Sequence, residues 1–427
     1  MHKVLIITYY WPPAGGPGVQ RWLKFVKYLR DFDIEPILYV PENPDYPLTD
    51  QSFLQEVPTG IKIYKLKIFE PYKLAGIFSR KKAKQISSGI ITSKDQSVLE
   101  KILLWVRGNL FIPDARRFWI GPSVKFLSEL IKEEAIDTII TTGPPHSVHL
   151  IGERLKRIST IKWIADFRDP WTSIGYHKKL RLTAWAQRRH KQLEHLVLNK
   201  ADKIIVTSAA TKEEFSQLTR RPITVITNGY DTPGDKISIP DANFTVAHIG
   251  SLLSGRNPMG LWKALSELVR ENEDFKQYFR LKLAGVVGND VLKSIQEQGL
   301  GPYTDLLGYL THDDAVECQK RSQVLLLIEI DSDETKGIVP GKVFEYMAAQ
   351  RPILGIGPEN WEVAALVETS NTGKVYDYQQ FDEIKRTLSE WFQEYRKGQL
   401  LLPFPHIEPY HRRELTKELS KQIKQWE

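Results

Sequence analysis

Apolar positions along the chain fall into short unbroken runs separated by amphipathic stretches, and that alternation predicts its elements. Val4–Tyr9 reads as a buried strand, and Val19–Leu29, where apolar residues recur at helical spacing, as the helix that follows it. Pro36–Val40, Ile61–Leu66, Asp137–Thr142, Lys162–Ala165 and Lys203–Thr207 read as further strands with helical segments between them. The second half repeats this alternation. Phe244–Ile249, Arg280–Ala284, Gln323–Ile328 and Pro352–Ile356 read as strands, with a helix over about 341–349 between the last two. Strands that alternate with helices indicate parallel βαβ units rather than a sandwich. The expected organisation is α/β, with one domain over 1–225, a Pro- and Gly-bearing connection over 226–240 and a second domain over 241–400. A closing segment, 401–427, is expected to form a helix that packs back on the first domain. No tandem repeat or low-complexity tract interrupts this pattern.

Composition changes the picture little. Of 427 residues 41% are hydrophobic and 26% charged, as in ordinary globular proteins with sizeable cores. The single cysteine, Cys318, cannot make an internal disulfide, has no metal-ligand spacing around it and reads as packing. No stretch approaches the ~18 apolar residues of a membrane span, and the first apolar run is too short for a signal peptide, so a cytoplasmic chain is expected. The net charge of +7 suits nucleotide phosphates, acidic lipid or nucleic acid, or a plain solvated surface, and does not choose among them. Residues 72–119 stand apart. Arg80, Lys81, Lys82, Lys84, Lys94, Lys101, Arg107, Arg116 and Arg117 are interleaved there with Leu103, Leu104, Trp105, Leu110, Phe111 and Trp119. Such a segment suits contact with an anionic membrane face; the plainer alternative is a helical insertion folded on its own domain.

Candidate chemistry sits in the loops that follow predicted strands. Thr8–Gly18 carries Gly15, Gly16 and Gly18 between the first strand and the first helix, where backbone can approach a ligand and free helix N–H groups await an anion. The dinucleotide spacing Gly-x-Gly-x-x-Gly is absent, which lowers the odds of a nicotinamide enzyme. Asp166, Arg168, Asp169 and Trp171 crowd one loop, suited to sugar hydroxyls or a general base, unless Asp166 and Arg168 simply pair with each other. His146 stands in the Gly143-Pro144-Pro145-His146 loop. In the second half, His248–Pro258 places Gly250 and Arg256 in a loop able to hold a pyrophosphate. Finally, Asp333–Ala349 puts Pro340, Gly341 and Lys342 at a helix start, with Glu345 a turn further on, where it could accept hydrogen bonds from two ribose hydroxyls.

These pieces, in this order, resemble the family 4 retaining glycosyltransferases of the GT-B fold, and the likeness runs over nearly the whole chain. Tyr10-Trp11-Pro12-Pro13 with Gly15-Gly16 is similar to the family's N-terminal glycine loop. The Asp166–Trp171 run is similar to the Arg-Asp-x-Trp-Pro region of polysaccharide-building members. Ala201–Ser208 resembles the strand entering the linker side, Asn228-Gly229-Tyr230-Asp231 the Asn-Gly-x-Asp junction, and Lys342–Ala349 the donor helix. The resemblance implies two Rossmann-like domains facing across a cleft. It places Arg256 against the donor diphosphate, Glu345 on the nucleotide ribose, Gly15 and Gly16 near donor phosphate and acceptor, and His146 near the transferring sugar. Two departures stand out. The other glutamate of the Glu-x₇-Glu motif is Gly337 here, with Glu334 the nearest substitute, and the arginine after the diphosphate-loop glycine is Ser251, so that Lys342 is left to supply the charge.

The resemblance also implies a mechanism. Arg256, Lys342 and the amides near Gly341 meet the negative charge that develops on the leaving diphosphate, and transfer proceeds with retention by a same-face route. The nucleotide sugar is a substrate, and no cofactor and no metal are expected. The expected partners are a nucleotide-diphosphate sugar, a saccharide or lipid-linked acceptor and an anionic membrane at the inner face; nucleic acid is not expected. Two rivals are a sugar-nucleotide epimerase or hydrolase on the same architecture and a non-catalytic basic protein that binds nucleic acid or a membrane assembly.

Overall fold

The computed structural model describes residues 1–71, 98–178, 180–231, 238–400, 402 and 405–426. The chain divides into two units, Met1–Asn228 with Arg412–Glu427, and Gly229–His411. Part of the basic, aromatic-bearing stretch (72–97, with Arg80, Lys81, Lys82, Lys84 and Lys94) and part of the expected connection (232–237) lie outside the described residues.

The first unit is built on β1 (His2–Thr8), β2 (Ile34–Pro41), β3 (Lys62–Leu66), β4 (Thr138–Gly143), β5 (Lys162–Phe167), β6 (Lys203–Val206) and β7 (Ile223–Val225). They form one 7-stranded sheet in the order β3-β2-β1-β4-β5-β6-β7, every neighbouring pair parallel. Val4, Leu5, Ile6 and Ile7 are all fully buried, as strands covered on both faces by helices must be. The Pro17–Leu29 helix starts with proline at its first turn and buries Trp22, Phe25, Val26 and Leu29 along one stripe. The C-terminal Arg412–Lys424 helix packs against it, with Leu415, Leu419 and Ile423, spaced a turn apart, in the same core. Beyond that helix, the Trp426 ring lies under the ammonium groups of Lys162 (5.3 Å) and Lys203 (4.7 Å).

The second unit repeats the plan with β8 (Phe244–Ile249), β9 (Phe279–Ala284), β10 (Thr304–Gly308), β11 (Val324–Ile328), β12 (Ile353–Gly357) and β13 (Gly373–Asp377). The 6-stranded sheet runs β10-β9-β8-β11-β12-β13, again all parallel. One hydrophobic cluster covers each face: Trp262, Leu265 and Phe392 on one side, Phe344, Met347 and Trp361 on the other.

In both sheets the strand order reverses beside the first strand, between β1 and β4 and between β8 and β11. Open parallel sheets bind ligands at the carboxyl ends of the strands at such a reversal. Four loops therefore become the candidates: those after β1 and β4, and those after β8 and β11. Among the described residues no helix is long and apolar enough to cross a membrane.

Candidate active site

In the second unit, β8 leads into Gly250, whose φ of +128° is a backbone state that side-chain-bearing residues rarely adopt. A Cβ at Gly250 would stand 3.2 Å from Lys342 Nζ, so the glycine also makes room for that ammonium. Lys342 is the first residue of the Lys342–Ala348 helix, with Gly341 at the cap position. Its Nζ lies 3.5 Å from Nε2 of the fully buried His248, whose Nδ1 lies 2.9 Å from the Leu326 carbonyl. A carbonyl can only accept, so the imidazole proton is on Nδ1 and the Nε2 lone pair meets the lysine. Burial, followed by the charge of Arg256, brings the Lys342 pKa down to about 8; Glu329 and Glu345 act in the opposite sense. Burial also holds His248 well below the ordinary histidine range, and Lys342 adds to the effect.

Arg256 is the second cation. Its Nε (3.1 Å) and Nη2 (2.7 Å) both donate to Oε1 of Glu329, the residue directly after β11. The same oxygen accepts from the Ile330 amide at 2.8 Å, and Tyr378 donates to the Glu329 carbonyl at 2.7 Å. The Glu329 side chain is 3% exposed and that of Arg256 31%. Glu345 is half-buried and accepts a long bond, 3.4 Å, from Gln319. Tyr346 packs behind it and takes the Ile249 amide at 3.0 Å. Glu334 is exposed in the Asp333–Thr335 turn. The structure thus brings Arg256, Lys342 and Gly250 together at the reversal of the second sheet, with Glu345 a turn along the same helix.

In the first unit the loop after β1 is bound down rather than open. Tyr9 donates to Glu70 at 2.7 Å, Arg116 pairs with Glu70 at 3.1 Å and lies 4.6 Å over the Tyr9 ring, and Glu70 takes the Asp45 amide at 2.7 Å. The Gly15 amide donates to the Leu48 carbonyl at 2.9 Å, and Gly16 caps the following helix.

Asp166 departs from the sequence expectation of an acceptor contact. It is fully buried and accepts from Arg21 (2.9 and 3.4 Å), Trp22 (2.8 Å) and Thr142 (2.8 Å). Burial alone would raise its pKa; Arg21 and the other donors outweigh that and hold it below the ordinary value. Its role is to tie β4, β5 and the Pro17–Leu29 helix together. Arg168 does not pair with it. Its side chain donates to the carbonyls of Gly143 (3.3 Å) and Pro144 and lies 5.6 Å over the Tyr10 ring. Gly18 permits this approach, since a Cβ there would collide with Arg168 Nη1. Trp171 is also a core group: its Nε1 donates to His190 at 3.1 Å and its ring stacks on His146 at 4.6 Å, so it offers no platform to an acceptor.

His146 is 4% exposed, and neither ring nitrogen has a partner among the described residues. Burial, then the neighbouring His149, His177 and His190, hold it neutral. Buried unpaired nitrogens of this kind require a partner that a ligand or water can supply. Asp169 is the acid of the loop that stays half-buried, its pKa pushed up by burial against the opposing pull of Arg168. Glu194, not foreseen, braces the loop by accepting from the Thr172 amide (3.0 Å) and hydroxyl (2.6 Å). Among the described residues no cluster of His, Cys, Asp or Glu is arranged to hold a metal ion.

Two parallel sheets of this order, one per unit, define the GT-B class of fold. The family described as Glycosyltransferase Family 4 matches residues 83–233 of this chain. Among solved structures, Anabaena Alr3699/HepE in complex with UDP and glucose is 14% identical, with a TM-score of 0.60 and coverage of 99% of both chains. The lipopolysaccharide outer core galactosyltransferase WaaB is 15% identical, with a TM-score of 0.57 and the same coverage. A putative UDP-N-acetylglucosamine 2-epimerase from Listeria monocytogenes is 14% identical, with a TM-score of 0.53 over 99% of this chain and 95% of its own. At these identities the likeness is one of fold. A search of curated proteins finds no match.

Proposed function

We propose that the chain is a retaining glycosyltransferase that moves a sugar from a nucleoside-diphosphate sugar to a saccharide or lipid-linked saccharide in the synthesis of a surface polysaccharide or glycan. The observation that carries the reading is the pairing of Arg256 and Lys342 beside Gly250 at the reversal of the second sheet. Fixed cations there suit a diphosphate, and they lower the barrier to the extent that they meet the charge developing on it. Glu345 is the candidate for the ribose hydroxyls, and HepE, of the same fold, holds UDP and glucose. In a same-face transfer the leaving phosphate takes the acceptor proton, so no protein nucleophile is required. In the first unit, the half-buried Asp169 and the unpaired ring nitrogens of His146 are the candidates on the acceptor side.

Contact with an anionic membrane at the cytoplasmic face belongs to this reading. Ile102, Trp105, Leu110, Phe118 and Trp185 are exposed in the first unit, alongside exposed Lys101, Arg117, Arg181, Arg188 and Arg189. The Val98–Leu110 helix is joined to the start of the Ala184–Lys200 helix through Asn109, which binds the Arg181 carbonyl (3.2 Å) and the Thr183 amide (2.7 Å). Exposed aromatic and basic side chains on two joined helices suit the bilayer interface.

The test supplies UDP-, GDP-, ADP- and dTDP-hexoses with free and polyprenyl-diphosphate-linked saccharides. Transfer with the donor's anomeric configuration kept supports the reading. Inversion removes the retaining assignment, and donor consumed equally without acceptor favours the epimerase or hydrolase alternative. Sedimentation with phosphatidylglycerol vesicles, but not phosphatidylcholine vesicles, is the expected membrane result.

A further inference from the structure

We infer that Glu329 and His248 are positioning residues for the donor diphosphate, each fixing one of the two cations while leaving part of its donor set uncommitted. The inference rests on the reading of Arg256 and Lys342 as the diphosphate ligands. His248 lies on β8 and Glu329 directly follows β11, the adjacent strands at the reversal of the second sheet. Glu329 takes Arg256 by its Nε and Nη2 hydrogens, at 3.1 and 2.7 Å, and is itself held by the Ile330 amide at 2.8 Å. A guanidinium has five N–H donors in a planar fork, so fixing this edge fixes the plane and leaves Nη1 for a phosphate. The carboxylate is almost fully buried, and such a group is costly to keep without its counter-charge. His248 acts on the other cation. The Leu326 carbonyl sets its tautomer, and Nε2 then offers one lone pair to Lys342 Nζ at 3.5 Å. One of three ammonium hydrogens is spent, and a stem with four rotatable bonds is steadied over Gly250.

Neither residue needs to touch the donor to matter. Charge lowers the barrier only if it stands where the leaving group will build up its own, and a displacement of about 1 Å can cost around a hundredfold in rate. Loss of a positioning residue should therefore lower turnover more than donor binding.

The experiment follows release of nucleoside diphosphate from UDP-, GDP-, ADP- and dTDP-hexoses in the presence of a polyprenyl-diphosphate-linked saccharide acceptor, for wild type, Arg256→Ala, Glu329→Gln and the double variant. A second set comprises Lys342→Met, His248→Leu and His248→Gln. Glu329→Gln should lower kcat by about tenfold or more with donor KM within about threefold, and the double variant should be no slower than Arg256→Ala within about twofold, because both changes act on one interaction. The double variant should also melt above Arg256→Ala, since an unpaired amide is cheaper to bury than an unpaired carboxylate. His248→Leu should lower kcat, and His248→Gln, whose amide oxygen replaces the Nε2 lone pair, should restore most of it.

Losses that multiply in the double variant, or equal losses in His248→Leu and His248→Gln, would reduce both residues to packing and overturn the inference. If Arg256→Ala is slow while Glu329→Gln matches wild type, the inference fails and the donor-site reading stands. If Arg256→Ala itself matches wild type, the donor-site reading fails and takes the inference with it.

Discussion

At the scale of residues, the chain separates charged groups that hold the fold from charged groups that are left for a ligand. Asp166 belongs to the first kind. Removing its carboxylate by Asp166→Ala strands the buried Arg21, and chemical denaturation should show a loss of about 3–5 kcal/mol. Nucleoside-diphosphate affinity of the folded variant should stay at the wild-type value; a fully stable variant, or one with weakened affinity, would contradict this assignment. Arg256 belongs to the second kind, and Arg256→Ala should lower turnover by roughly a hundredfold, the usual cost of removing one fixed donor from a developing charge. Lys342 makes binding depend on pH. With a pKa of about 8 it is charged below that value and loses its charge above it, so diphosphate affinity should weaken as pH rises through about 8. The Lys342→Met variant should lack this inflection, and a flat wild-type profile would refute the role. The loops that hold these groups were legible in the sequence, but the division of labour was not. Asp166, Arg168 and Trp171 have the chemistry of a sugar site, and only the packing of Arg21, Trp22 and His190 shows where Asp166 and Trp171 are committed. Glu329 did leave a signal: it is the acid that directly closes the apolar run Val324–Ile328, at the end of a strand where ligands are met.

At the scale of elements, sequence patterning found the central strands and one edge strand, β3, and the missed ones, β7, β10 and β13, are all at sheet edges. An edge strand is covered on fewer sides, so Thr304–Gly308 and Gly373–Asp377 carry no continuous apolar stretch and leave little for a pattern to detect. The C-terminal helix shows the converse case, where a modest stripe does structural work. Leu419 is fully buried against the first unit's core, and Leu419→Ala should cost about 2–5 kcal/mol by equilibrium denaturation. A loss below about 1 kcal/mol would mean that the helix is not part of that core.

At the scale of the whole molecule, two sheets of the same strand order place two ligand loops each, and the family match over 83–233 supports the glycosyltransferase proposed for them. The first unit also carries a store of acid sensitivity in His146, His149, His177 and His190, all buried and held neutral. The unfolded chain protonates its histidines near 6.5, whereas folded His177 does so near about 4 and His149 near about 3, so the unfolded state binds more protons in between. Stability should therefore be intact above about pH 6.5 and fall progressively below it. Glu194, raised by burial, works in the opposite sense, so the decisive comparison is thermal melting of His177→Gln, which should show a shallower decline between pH 6.5 and 4 than wild type. An unchanged slope would remove His177 from the account. The claim on which everything else turns is that the second unit takes a nucleoside diphosphate on Arg256 and Lys342. Calorimetric titration of wild type, Arg256→Ala and Lys342→Met with UDP, GDP, ADP and dTDP tests it most directly. At least one nucleotide should bind wild type, and each substitution should weaken that binding by about tenfold or more, as loss of a charge-assisted contact does. No binding by wild type, or equal binding by all three, would contradict the account.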